Sequence, residues 1–333
     1  MSAVPLLSTC RASAMAALLF AWAGVSPVLA AEPFPSRPIR LVVPFGTGGP
    51  TDLVARGIAT KMSASLGQPV HVENRAGAGG AIGADAVAKA RPDGYTIGIA
   101  TASTHEFTPA CSKEPPYHPV NDFEMVGLIA TAPTLVLVKG DAMFTSFAEL
   151  IAASRKEPER YTWGTPGVCS NAHFLVEMLN RSGGGRILPV PYRGNNQATL
   201  DLIAGRVTLA SDAVTTVSMG FIASGAVRPI AIIGKSGLDA LRGVPTFADQ
   251  GFDVGAFNVW QGLVAPAKTP ADVVGRLNAA LRDALQDAAL QQRWLDDGVT
   301  PSPDLSPAAM KAQIQAGYEN ARRLAEALGL AIN

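Results

Sequence analysis

The stretch Leu41-Val42-Val43-Pro44-Phe45-Gly46-Thr47-Gly48-Gly49-Pro50-Thr51-Asp52 constrains this chain more than any other. An apolar run breaks into a glycine-rich turn and resumes as Leu53-Val54-Ala55-Arg56 at helical spacing, which reads as strand, bare loop and helix start. The first N–H groups of a helix have no partner within it and lie at the positive end of its dipole, so such a loop suits an anion. No nucleophile with a base accompanies it, and the pattern points to capture of a ligand rather than chemistry on it.

Further along, residues 39–44, 70–74 and 95–101 read as strands and 51–66 and 81–90 as helices. Apolar strands alternating with amphipathic helices predict an α/β domain whose parallel-rich sheet is covered by helices. Pro115-Pro116-Tyr117-His118-Pro119 interrupts the alternation, and the apolar run 125–138, broken at Thr131-Ala132-Pro133, reads as a crossover. A second α/β stretch follows, with helices at 147–155, 171–179 and 197–204 and strands at 161–164, 187–190, 209–212 and 229–233. Residues 257–265 are strand-like again, and 271–290 and 307–328 are helical. The expected division is a discontinuous first lobe, 31–131 plus 257–333, and a second lobe, 132–256, joined by a two-stranded hinge with a cleft between them.

Residues 1–30 carry Arg11, an apolar segment from Ala14 to Val25 and small residues before Ala30, the pattern of a secretory signal cut near Ala30. About 300 residues would remain, more than one core usually organises. The 27 Lys and Arg balance 27 Asp and Glu, without the basic footprint of a nucleic-acid binder. Cys10 would leave with the signal; Cys111 and Cys169 remain as an even pair, and in an oxidising compartment they predict a disulfide, with two buried free thiols as the alternative. No metal site is expected, because His71, His105, His118 and His173 lack ligand spacing. No cofactor is expected either: Gly77-Ala78-Gly79-Gly80-Ala81-Ile82-Gly83 is close to a dinucleotide fingerprint but has the wrong spacing, and reads as close helix packing.

Three loops fall at the C-terminal ends of predicted parallel strands, where open α/β sheets bind ligands: residues 45–52, 101–105 and 164–171. The candidate contacts are Phe45, Gly46, Thr47, Gly48, Gly49 and Thr51 from the first, Ser103 and Thr104 from the second, and Thr165, Gly167, Ser170 and Asn171 from the third. Any one of these loops alone reads equally as a plain turn. Tyr192 and Arg193 follow a strand and would wall the cleft; Asp212 ends one and reads either as a ligand contact or as an N-cap. His105 and His173 have no visible catalytic partner, and no nucleophile elbow, P-loop or zinc signature occurs.

The segments Phe34-Pro35-Ser36-Arg37-Pro38-Ile39-Arg40-Leu41-Val42-Val43-Pro44-Phe45, Val72-Glu73-Asn74-Arg75-Ala76-Gly77-Ala78-Gly79-Gly80, Arg91-Pro92-Asp93-Gly94-Tyr95-Thr96 and Val190-Pro191-Tyr192-Arg193-Gly194 resemble the Bug family, the substrate-binding proteins of tripartite tricarboxylate transporters. The resemblance implies a monomeric, type II-like, two-lobed periplasmic binding protein that captures a small carboxylate (dicarboxylate, tricarboxylate, aromatic acid or acidic amino acid) and delivers it to membrane permease subunits. It further implies that the loops at 45–51 and 165–171 grip one carboxylate through backbone groups and bridging waters, while Ser103, Thr104 and Asp212 tune the distal end. Two departures, Gly164-Thr165-Pro166-Gly167-Val168-Cys169-Ser170-Asn171-Ala172-His173 and Ser211-Asp212-Ala213, leave the ligand open. The competing readings are a sensor subunit for a membrane signalling partner and an exported hydrolase or isomerase using His105 or His173.

Overall fold

The computed structural model describes residues 33–234, 237–254, 257 and 259–330. The expected signal segment at 1–30 and part of the expected boundary at 256 lie outside them. Strand β1 (Ile39–Val43) pairs in parallel with β2 (Val70–Asn74) and β3 (Thr96–Thr101). Between β1 and β2 runs α1 (Pro50–Leu66), which buries Val54, Ala55, Ile58, Ala59, Met62 and Leu66 at helical spacing. Its ends follow from the sequence. Pro50 opens the first turn, and Gly67 closes the last one at φ 70° with its N–H on the Ser63 carbonyl. The shorter α2 (Ala81–Ala88) precedes β3.

Strands β4 (Phe123–Thr131), β10 (Trp260–Pro266) and β11 (Thr300–Pro301) complete this sheet in antiparallel pairings, giving the order β11-β4-β10-β3-β1-β2. The sheet is therefore mixed, because β10 enters from the far side of the chain. The second sheet has the order β7-β6-β8-β5-β9. Its members are β5 (Thr134–Lys139), β6 (Thr162–Thr165), β7 (Leu188–Pro191), β8 (Leu209–Ala213) and β9 (Val227–Ile233), with β5 antiparallel to both neighbours. Helices α3 (Phe147–Lys156), α4 (Asn171–Gly183), α5 (Asn195–Ile203) and α6 (Thr216–Ala223) connect its strands. The C-terminal helices are α7 (Ala271–Leu285), α8 (Ala288–Asp296) and α9 (Pro307–Leu328).

The apolar run at 125–138 is thus two strands in two sheets, separated by Ala132-Pro133. The N–H of Ala132 donates to the carbonyl of Val259 at 3.2 Å, so the outgoing and returning crossings meet. The single helix expected at 271–290 is split, because Asp287 caps a new one by accepting from the Leu290 N–H at 2.9 Å. Helix α6 is unforeseen. Its residues are mostly apolar without forming a stripe on one face, which leaves no periodicity, although Thr215 and Ser218 form a reciprocal capping box at its start.

The two α/β lobes share an interior. One continuous core cluster takes Val42 and Ala100 from the first sheet and Val136, Trp163 and Leu209 from the second. Phe107 joins them, its ring centroid 4.9 Å from that of Phe174 and 5.0 Å from that of Phe257.

Candidate functional site

A cavity of about 270 Å³ opens between the sheets, walled by residues of the loops after β1, β3 and β6, by the start of α5, and by the first residues of β10. Arg193 is the one charged side chain among the described residues in its wall; Leu175, Ile233, Phe257, Val259 and Trp260 make much of the remainder apolar.

The first loop is shaped by Asp52, two residues inside α1 and nearly buried. Its Oδ2 accepts from the Gly48 N–H at 3.0 Å and from Arg56 Nε at 2.8 Å, and its Oδ1 accepts from Asn74 Nδ2 at 2.8 Å. Asn74 Nδ2 also donates to the Phe45 carbonyl at 3.0 Å, so β2 holds the near end of the loop while Asp52 holds the far end. Burial pushes the Asp52 carboxyl up, but hydrogen bonds from Arg56, Gly48 and Asn74 outweigh it and hold the pKa below its ordinary value. The Gly48 amide is consequently occupied by this chain's own carboxylate. Phe45, Gly46, Thr47, Gly49, Pro50 and Thr51 line the cavity, and Gly48 shapes the turn behind them.

The two glycines differ. Gly48 has φ +77°, in the left-handed region, whereas Gly49 has φ −80°, open to any residue. Gly48→Val should strain the turn by ~1–2 kcal/mol and abolish ligand-induced stabilisation. Gly49→Ala should keep it. Thermal melts with and without ligand separate the two; equal losses in both variants would refute the assignment.

The loop at 164–171 contributes less than the sequence leads one to expect, because its donors are spent internally. The Asn171 N–H donates to Ser103 Oγ at 3.1 Å, the Ala172 N–H to Asn171 Oδ1 at 2.9 Å, and the His173 N–H to the N-cap Ser170 Oγ at 3.4 Å. Ser103 Oγ in turn donates to Asn171 Oδ1 at 2.9 Å, making a reciprocal bridge between the lobes. Thr165 and Ser170 are buried and donate to the Gly167 carbonyl, while Gly167 lies against Gly79, with no room for a Cβ. Of this region, Pro166, Asn171, Ala172 and Leu175 reach the cavity; Thr165, Gly167 and Ser170 do not.

The second lobe's open helix start is instead that of α5. Its N-cap is Gly194, with no side-chain cap, and residues 193–197 line the cavity. Helix α1, N-capped by Gly49, also starts there without a side-chain cap. By contrast, Ser146, Ser170, Thr215, Asp287 and Ser306 cap α3, α4, α6, α8 and α9 with their side chains. Helices α2 and α7 also begin uncapped, but neither N-cap is in this wall. One uncapped helix N-terminus from each lobe thus meets the same cavity, the arrangement that favours a negative group.

Three further candidates are turned away. Tyr192 lays its ring over Gly164 and donates its hydroxyl to Asp201 Oδ2 at 2.9 Å. Asp212 lies between Ser211 and Ala213, which both line the cavity; strand alternation sends its side chain to the other face, where it accepts from Thr199 Oγ1 on α5 at 3.2 Å. Burial there pushes the Asp212 pKa up to about 7. Thr104 is fully buried, bonded to Thr101 and to His105 Nδ1, within a π-helical turn Ser103–Phe107 whose one cavity residue is Ser103.

His105 is fully buried against Phe123, and desolvation drops its pKa to about 3. His173 accepts the Cys169 N–H on Nδ1 at 2.9 Å, and its pKa is likewise lowered by burial. Neither lines the cavity. Cys111 and Cys169 form a disulfide with Cα atoms 6.2 Å apart, and Thr108 Oγ1 is 3.2 Å from both the Gly79 and the Cys169 carbonyls beside it. Among the described residues, no group of three or more His, Cys, Asp or Glu converges as a metal site would require.

Residues 54–330 match the model of the tripartite tricarboxylate transporter family receptor. The chain is similar to the periplasmic binding protein BugD, at 33% identity and a TM-score of 0.83, covering 90% of this chain and 99% of that one. It is similar to an R. palustris protein solved with adipate, at 32% identity and a TM-score of 0.82, covering 90% and 99%. It is also similar to MatC from Rhodopseudomonas palustris, solved with bound malate, at 30% identity and a TM-score of 0.81, covering 87% and 99%.

Proposed function

The chain belongs to the tripartite tricarboxylate transporter receptor family, a family of periplasmic solute-binding proteins, and from that premise we propose that it captures a small carboxylic acid in the cavity between its lobes. The observation that carries this reading is the pair of uncapped helix N-termini, α1 from one lobe and α5 from the other, meeting in one cavity beside Arg193. Each hydrogen bond from such a group to a carboxylate contributes on the order of 1.5–3 kcal/mol, so three or four account for micromolar affinity, about 8 kcal/mol. No other cation is required. The relatives solved with adipate and malate support the carboxylate assignment.

In this proposal the contacts are Phe45, Gly46, Thr47 and Thr51 from the first lobe and Arg193, Gly194, Asn195, Asn196 and Gln197 from the second, with Ser103 and Asn171 closing the rear. The lobes are 31–131 plus 257–333 and 132–256, the chain is exported after cleavage near Ala30, and the filled receptor is presented to membrane permease subunits.

The test is a melt of the mature chain with dicarboxylates, tricarboxylates, aromatic acids and acidic amino acids. A ligand at 100 times its dissociation constant adds ~2.7 kcal/mol of stability, a clear rise in melting temperature. The acid should be recovered chemically unchanged. Turnover of the acid, or no response to any of the panel, would overturn the proposal.

A further inference from the structure

One buried carboxyl stands behind the cavity wall and takes no part in the contacts above. Glu106 is 9% exposed, in the π-helical turn that follows β3, and its Oε1 accepts from the indole Nε1–H of Trp260 at 2.7 Å. Trp260, the first residue of β10, is itself buried and lines the cavity beside Phe257, Val259 and Gln261. Helix α9 makes room for the carboxyl. At Gly317, inside that 22-residue helix, a Cβ would come within 2.3 Å of Glu106 Cδ. Glycine is unfavourable in a helix interior, so its place at this contact answers the carboxyl rather than the helix. Short π-helical turns are rare and recur at functional sites.

Burial makes an ionised carboxyl costly and pushes the Glu106 pKa up to about 7, with the hydrogen bond from Trp260 acting against that rise. In return the indole N–H, the one polar group of a large buried ring, has its acceptor. Without Glu106 that N–H is left unpaired, and the open space beside the ring is the cavity itself. A ring turned towards that space would fill volume the bound acid needs, and ordering it again on binding costs affinity. We propose that Glu106 is a positioning residue of the ligand cavity, fixing the Trp260 indole from behind so that the wall keeps one apolar shape. The inference rests on the carboxylate reading above and adds to it a residue that touches no ligand.

The experiment is calorimetric titration of the mature chain with succinate, malate, adipate, citrate, benzoate and glutamate. For the acids that bind the parent, Glu106→Met should weaken binding about tenfold or more, because the ring is no longer ordered in advance. Glu106→Gln keeps a carbonyl oxygen as acceptor and should bind within about threefold of the parent. Gly317→Ala favours the helix and drives a methyl group against the carboxyl. It should weaken binding in the same direction without lowering the melting temperature of the empty protein, and it serves where Glu106→Met does not fold. In a Trp260→Phe background, which keeps a ring but no N–H, Glu106→Met and Gly317→Ala should both be nearly silent, since the cycle isolates the pair. Parent-like binding in either variant, a Gln variant no tighter than the Met variant, or equal losses with and without the indole N–H would overturn the positioning role and leave the receptor standing. Binding of no acid by the parent would overturn both.

Discussion

Replacing Cys111 and Cys169 together by alanine should destabilise the protein by ~4 kcal/mol in the chain-entropy model for a loop of this size, lowering the melting temperature by on the order of 10 °C. The bond closes 58 residues of chain. It also joins the segment after β3 to the loop before α4, beside the Ser103–Asn171 bridge and the contact of Gly79 with Gly167. This side of the cleft is therefore fastened three ways, covalently, by hydrogen bonds and by backbone contact. Melts of the double variant beside the parent, both without reductant, check the expectation. A difference under 1 kcal/mol would mean that the non-covalent contacts hold this side unaided.

The second large effect is expected at Asp52. Asp52→Ala leaves the Gly48 amide, Asn74 Nδ2 and Arg56 without their shared acceptor. It should cost about 3 kcal/mol of stability and weaken ligand binding at least tenfold, about 1.4 kcal/mol, since the loop that presents the α1 amides loses its brace. The pH dependence has a definite sign. Because the folded pKa lies below the ordinary 3.8, the stabilisation stands in full above that value and is lost as the pH falls through the folded pKa. The gap in stability between parent and Asp52→Ala should accordingly be flat at neutral pH and shrink in acid. A gap that stays constant down to pH 2 would show that the carboxylate charge is not what holds the loop.

Much of this is legible in the chain itself, and the exceptions have separate causes. The run 41–52 specifies a strand, a glycine turn and a helix start by local chemistry alone, and the structure places β1 and α1 there. The Cys111–Cys169 pairing is expected from the even count of cysteines beyond residue 30, which needs no geometry. Helix α4 reads as an open start from sequence, but its first amide, that of Asn171, donates to Ser103, a hydroxyl from 68 positions away, and the next two donate to the side chains of Asn171 and Ser170. Helix α5 is expected only from residue 197, two residues late, because Gly194-Asn195-Asn196 looks like any turn and nothing local tells an uncapped helix start from a loop. Asp212 is different, since its orientation could have been read. On a strand with alternating faces, Ser211 and Ala213 share one side and Asp212 takes the other, so choosing the carboxylate meant choosing the wrong face of the strand.

Phe107 packs against both Phe174 and Phe257 where the halves of the molecule join. Neither half can come apart alone without wetting these rings, so heat should dismantle the protein in a single cooperative step rather than two. Whatever free energy a bound metabolite adds at the centre is then felt by every strand and helix at once, and one denaturation curve reports it whole.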